Sequence, residues 1–234
     1  MTRRIWPLDA VLFDAGGVLV LPDPTVLAPL LAPYGGDTAI QAHCRAHYAA
    51  MAVKSTAGAG EPFWAEYDRA YVESVGVDPE HRGHAADLLN ITRSAQLWRW
   101  PIPDSMSALA VLARHRVPMG VVSNASGQIE QELLRSEICQ VGDGIGVAMR
   151  CVIDSHVVGV AKPDPQIFEH ALAHFAEFDR ARVGYIGDSV TMDIGGATAA
   201  GLHPLLLDPY DDHADADFER IRSLHDLIPM LIRD

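Results

Sequence analysis

The chain has 234 residues, 49% hydrophobic and 21% charged, enough apolar material for one large globular domain or two modest ones. Its formal net charge of −13 repels a polyanion, which argues against non-specific nucleic-acid binding and means that any anionic substrate must be caught locally. No run reaches the ~18 consecutive apolar residues of a membrane span, MTRRIWPLDA carries no apolar leader, and Cys44, Cys139 and Cys151 are too scattered for a disulfide framework or zinc ribbon; a cytoplasmic protein with reduced, buried thiols and no membrane partner is expected.

The first element is AVLFDAGGVLV (10–20), an apolar strand that stops at Asp14 and is followed by two glycines. In an open α/β sheet, ligands bind outside the carboxyl ends of the strands, so a carboxylate there meets an arriving substrate. Gly16 and Gly17 offer φ > 0 and a close backbone approach for a tight turn beneath it. Residues 21–103 contain APLLAPYGG, HCRAHYAAMAVKSTAG and FWAEYDRAYVESV and read as several helices without strands, a second unit inserted into the first. The proline-flanked LPDP and WRWPIPD mark its edges. Within it, Phe63, Trp64, Tyr67 and Tyr71 recur at helical spacing and read as core. His43 and His47 lie one turn apart without a third ligand and read as a surface or face pair rather than a metal site, and Lys54 reads as an exposed helix lysine.

After the insertion, apolar runs at 118–122, 147–153, 183–186 and 204–207 predict further strands, alternating with helices over 105–114, 128–135, 165–176 and 192–200. That alternation predicts βαβ units and a parallel sheet, an α/β core of residues 1–20 and 104–234 with a helical insert over 21–103. GDGIG (142–146) places its third glycine too early for a dinucleotide fingerprint and reads as a loop tip. DPYDDHADADFE (208–219) lacks the glycine and terminal glutamate of a calcium loop and reads as a solvated loop. Asp164, between two prolines, reads as the start of a helix.

Four signals fall at strand ends: Asp14, Ser123 with Asn124, Lys162 (one of two lysines), and Asp188 with Asp193. A carboxylate nucleophile, a hydroxyl donor, an ammonium and a further acidic pair are what phosphoryl transfer onto an aspartate requires. Asp14 is expected to attack phosphorus while Ser123 and the Asn124 backbone N–H hold a phosphoryl oxygen. Lys162 is expected to neutralise charge, Asp188 to hold magnesium, and Asp193 to orient the metal shell or Lys162.

The motifs VLFDAGGVL, VVSN, GVAKPDPQIF and GDSVTMDIGGATAAG, in that order, resemble the haloacid dehalogenase superfamily, specifically members with a helical cap inserted after the first motif. The resemblance implies a Rossmann-like core, a mobile cap, a covalent intermediate on Asp14, and in most branches Mg2+-dependent phosphatase activity on small phosphorylated or other anionic substrates. It also implies magnesium bound by Asp14, Asp188 and the backbone carbonyl of Gly16. Phosphatases of the family carry a second Asp two residues after the nucleophile, as general acid and base; here that residue is Gly16. General acid–base help is typically worth about 10²- to 10⁴-fold. Three readings are therefore open: a slow or specialised phosphatase with a good leaving group, a non-catalytic module that binds magnesium and a phosphorylated ligand, and a C–P or C–halogen hydrolase. Substrate and oligomeric state are not legible in the sequence.

Overall fold

The computed structural model describes residues 6–58 and 64–232. Strands β1 (Ala10–Phe13) and β2 (Val20–Pro22) lead into α1 (Pro24–Leu31), α2 (Ile40–Ala57), α3 (Trp64–Ser74) and α4 (Arg82–Thr92). Strand β3 (Trp98–Pro101) closes that block, and α5 (Pro103–Arg114), β4 (Met119–Ser123), α6 (Ile129–Arg135), β5 (Cys139–Val141), β6 (Val147–Met149), β7 (Val152–Asp154), α7 (Ser155–Val158) and α8 (Gln166–Leu172) follow. The chain ends with β8 (Val183–Gly187), α9 (Gly195–Ala199), β9 (His203–Leu207), β10 (Arg220–Ile221) and α10 (Ile228–Leu231).

Six strands form a parallel sheet in the order β10-β9-β8-β1-β4-β7. Ala10 to Phe13 are fully buried, as expected of a central parallel strand covered by helices on both faces. The chain runs outward from β1 through β4 to β7, then crosses back to β8 on the other side of β1. This reversal opens a crevice at the carboxyl ends of β1, β4 and β8. Register aligns the strand ends, with Phe13 beside both Val121 and Ile186, so the residues that follow each strand emerge at nearly one level.

Helices α1 to α4 pack around a separate apolar cluster that includes Leu27, Leu31, Tyr67, Tyr71, Val72 and Leu89. The expectation of an insert without strands is corrected at its two edges: β2 and β3 pair antiparallel, Leu21 opposite Trp100, so the entering and leaving chains form one ribbon. No helix among the described residues is long and apolar enough to cross a membrane.

Several sequence expectations change locally. The run 147–153 is two strands: β6 pairs with β5 in a small separate sheet, while β7 joins the main one. Arg150 lies at the break, its guanidinium bonded to Glu177 and over Phe175. The helix expected over 165–176 stops at Leu172, and Asp164 starts it, accepting from the Gln166 N–H at 2.9 Å. The helix expected from 192 opens with a π-type turn at Val190–Ile194, in which Ser189 O accepts from the N–H groups of Asp193 and Ile194.

The acidic segment 208–219 is not simply solvated, since Asp208 is buried against Arg220 and Asp212 pairs with Arg45 of α2. GDGIG is the loop joining β5 to β6, as expected. All three cysteines are free thiols; Cys139 and Cys151 are buried and Cys44 is half-buried. Phe63 lies outside the described residues.

Candidate active site

Asp14 leaves the end of β1 into a turn closed by Ala15, whose carbonyl accepts from the N–H groups of Leu19 and Val20 at 2.8 and 3.0 Å. Only Gly17 of the two glycines has positive φ, 71°, and a Cβ there would fall 1.8 Å from Asp188 Oδ2. The expectation that Gly16 also serves as a left-handed turn residue is corrected: its φ is not positive. What Gly16 provides is space, because a Cβ would stand 3.1 Å from Cζ3 of Trp98, whose indole lies over it.

Lys162 sits in the loop after α7 with its side chain buried. Its Nζ is 2.9 Å from Asp14 Oδ2 and donates to Asp193 Oδ1 at 2.7 Å and to the Tyr185 hydroxyl at 2.8 Å. Tyr185 in turn donates to Val122 O at 3.0 Å. The lysine backbone is clasped by Asn124, whose Oδ1 accepts from Lys162 N–H at 2.8 Å and whose Nδ2 donates to Lys162 O at 3.0 Å. The Asn124 side chain thus ties the end of β4 to the lysine loop, a role the motif reading did not assign. Ser123, at the end of β4, is buried and lines the cavity. The loop behind it is tied down by Asp154, which accepts from Gly127 and Ile129 N–H groups.

Asp14, Asp188 and Asp193 bring carboxylate oxygens within 4.8 Å of one another. Burial pushes the Asp14 carboxyl up to about 7; Lys162 opposes that rise while Asp193 and Asp188 add to it. For Lys162, burial alone would lower the ammonium, and the two carboxylates beside it outweigh burial and hold it above the ordinary lysine range. Three carboxylates against one ammonium leave a negative excess, and a donor set made only of oxygens suits a hard divalent cation such as Mg2+.

Two expectations for the helical block are refined. Of the surface or face alternatives for His43 and His47, the surface one is corrected, since both are buried. His43 bonds Tyr71 and the Asp37 carbonyl and is structural, whereas His47 reaches across to the sheet, its Nε2 lying 2.8 Å from Asp188 Oδ2. The buried Tyr67 hydroxyl lies 3.0 Å from His47 Nδ1 and holds the ring from the side away from Asp188. The next residue, Tyr48, donates to Gly17 O at 2.8 Å, and Ser55 Oγ accepts from Val190 N–H at 3.1 Å. Lys54 is fully buried rather than exposed, its Nζ 4.6 Å from the centre of the Trp64 ring.

A cavity of about 330 Å3 lies between sheet and helices. Its floor holds Asp14, Ser123, Asn124, Lys162, Asp188 and Asp193, and Met51, Trp64 and Trp98 form its opposite wall. A larger surface hollow of about 700 Å3 beside β10 holds none of the floor residues; its Asp208 and Asp211 are engaged by Arg220 and Arg222 and its Glu219 by His203.

The model of the haloacid dehalogenase-like hydrolase family matches residues 8–201. The chain belongs to that family. Among characterised hydrolases it is similar to the phosphoserine phosphatase of Thermus thermophilus, 27% identical over 197 residues that cover 82% of this chain and 74% of the relative. It is also similar to the pyrimidine 5'-nucleotidase YjjG of Escherichia coli, 26% identical over 186 residues, covering 74% and 79%. The crystal structure of a haloacid dehalogenase-type phosphatase from Thermococcus onnurineus aligns with a TM-score of 0.57 at 19% identity, covering 95% of this chain and 97% of that one. This hydrolase therefore has the family's fold, and Asp14, Ser123, Lys162 and Asp188 come together on one cavity floor.

Proposed function

We propose that this hydrolase is a magnesium-dependent phosphatase acting on a small phosphorylated substrate through a phosphorylated Asp14. The observation that carries the reading is the position of Lys162 Nζ between Asp14 and Asp193, with Asp188 in the same cluster. Asp14 attacks phosphorus, the phosphorus–oxygen bond to the leaving group breaks, and the departing oxygen keeps the electron pair. Ser123 and the Asn124 backbone N–H hold phosphoryl oxygens while Lys162 offsets their charge. Asp14, Asp188 and the Gly16 carbonyl would hold Mg2+, with Asp193 orienting Lys162; the bound ion supplies Lewis-acid stabilisation of the phosphoryl charge. Water then attacks the phosphorylated Asp14, inorganic phosphate leaves, and the water proton ends on the departed oxygen through solvent. Residues 21–103 act as the cap over the core of 1–20 and 104–234.

Gly16 supplies no acid, so turnover is confined to substrates whose leaving oxygen departs without one. The test is hydrolysis of an aryl and an acyl phosphate by the wild type and Asp14→Asn, with and without magnesium. Activity that needs both Asp14 and magnesium is expected. A second reading, a non-catalytic phosphate-ligand module, draws support from the Trp98 indole that fills the space beside Gly16; a stable complex with inorganic phosphate and no turnover of either donor would favour it.

A further inference from the structure

The identity of the leaving group follows from the wall opposite the nucleophile, given the reading of Asp14 as phosphoryl acceptor. We infer that the substrate is an aryl phosphate monoester without a second charged group, and that Trp98 is the residue that selects it. A phenol ionises at about pH 10 and an alkyl alcohol far above that, so an aryl oxygen departs as its anion far more readily when nothing protonates it. A Cβ at position 16 would stand in tight contact with the Trp98 indole, 3.1 Å from Cζ3.

That indole is held edge-on by His47, ring centres 5.4 Å apart at 82°, and by Trp64, 6.2 Å apart at 67°. Met51 completes an apolar wall beside the cavity floor. A ring on the leaving group would lie against this wall while its phosphoryl group sits over Asp14 and Lys162. The cavity, about 330 Å3, is at the small end of ligand pockets, which span roughly 300–1,000 Å3.

The rest of the rim decides against a second anion. Arg93 lines the cavity, but its guanidinium is 2.5 Å from Asp68 and lies over the Trp64 ring, so its charge is already matched. Ser94, Ser126 and Gln128 add only neutral donors and acceptors, suited to a hydroxyl or amide substituent on the ring. In the step, the phosphorus–oxygen bond to the aryl group breaks, phenolate leaves with the electron pair, and it is reprotonated from solvent.

The experiment is calorimetric binding of phenylphosphonate and methylphosphonate, neither of which can be hydrolysed, to the magnesium-loaded wild type, Trp98→Leu and Trp98→Phe. Phenylphosphonate is expected to bind wild type about fivefold to tenfold more tightly, the size of an aromatic contact. That preference should vanish in Trp98→Leu and largely survive in Trp98→Phe, with methylphosphonate little changed in either. If Trp98→Leu fails to fold, Trp98→Gln takes its place, and the preference should vanish there as well. Equal binding of the two phosphonates, or a preference indifferent to Trp98, overturns the inference and leaves the phosphatase reading standing. Binding of neither overturns both.

Discussion

At the residue scale, the adjacent glycines after Asp14 differ in what holds them. Gly17 combines φ 71° with a Cβ path that runs into Asp188, so any side chain there is strained in backbone and packing alike. Gly16 has ordinary φ and competes only with the Trp98 indole. Gly16→Asp alone should raise alkyl phosphate turnover less than the double variant does, because the new Cβ would press on the Trp98 indole at 3.1 Å. Gly16→Asp with Trp98→Ala should raise it by about 10²-fold or more, read as kcat/KM for an alkyl phosphate.

The Asp14 carboxyl makes a second prediction. Its value in the fold, about 7, lies above its ordinary 3.8, so its contribution to stability is fully present at low pH and is lost as pH rises through about 7. Metal-free wild type should therefore lose Tm relative to Asp14→Asn progressively between about pH 4 and pH 7 and change little above that, and added magnesium should remove most of that loss. Thermal unfolding of both proteins across that range checks it.

At the scale of elements, α2 is where sequence reading stopped short. Asp14, Ser123, Lys162 and Asp188 were legible because each follows an apolar run or sits in a long motif, and parallel sheets put such ends together. His47 carried no such mark. Helical spacing assigns a residue to a face of its helix, but the partner on the other side, Asp188, is 141 residues away in the chain. Arg150 and the π-type turn escaped for a related reason, since both answer to neighbours far off in sequence: Arg150 to Glu177, and Asp193 to Lys162. Within α2, His47 is a positioning residue that fixes one oxygen of Asp188. His47→Ala should weaken magnesium binding by about 10- to 100-fold, the usual cost of losing a partner behind a ligand, measured by calorimetry without substrate. His47→Gln, which can still donate, should recover part of the loss.

At the scale of the whole molecule, the α/β core was readable from strand–helix alternation, and sheet order was not, because periodicity carries no information on which strands become neighbours. The contacts between the helical block and the sheet are unequal in weight. Arg45 reaches Asp212 at 2.6 Å, but its side chain is 39% exposed, so this bridge is screened. Arg45→Ala should change unfolding free energy by less than about 1 kcal/mol in a denaturant titration. The buried bonds from His47 and Tyr48 are the ones that register α2 against the Asp14 turn.

The ribbon of β2 and β3 has one more consequence. Because the chain leaves the sheet and returns to it side by side, with Leu21 opposite Trp100, everything between them is topologically a hairpin loop grown to domain size. The pairing of the two strands holds the ends of that loop together, and lengthening a loop raises its closure entropy only logarithmically. The helical block is thus an exchangeable module: a different block, of different length and lining, could be grafted at the same two strands without re-threading the core. Trp98 belongs to the graft site itself rather than to the helices, so a swapped module would inherit the aromatic residue that lies over Gly16.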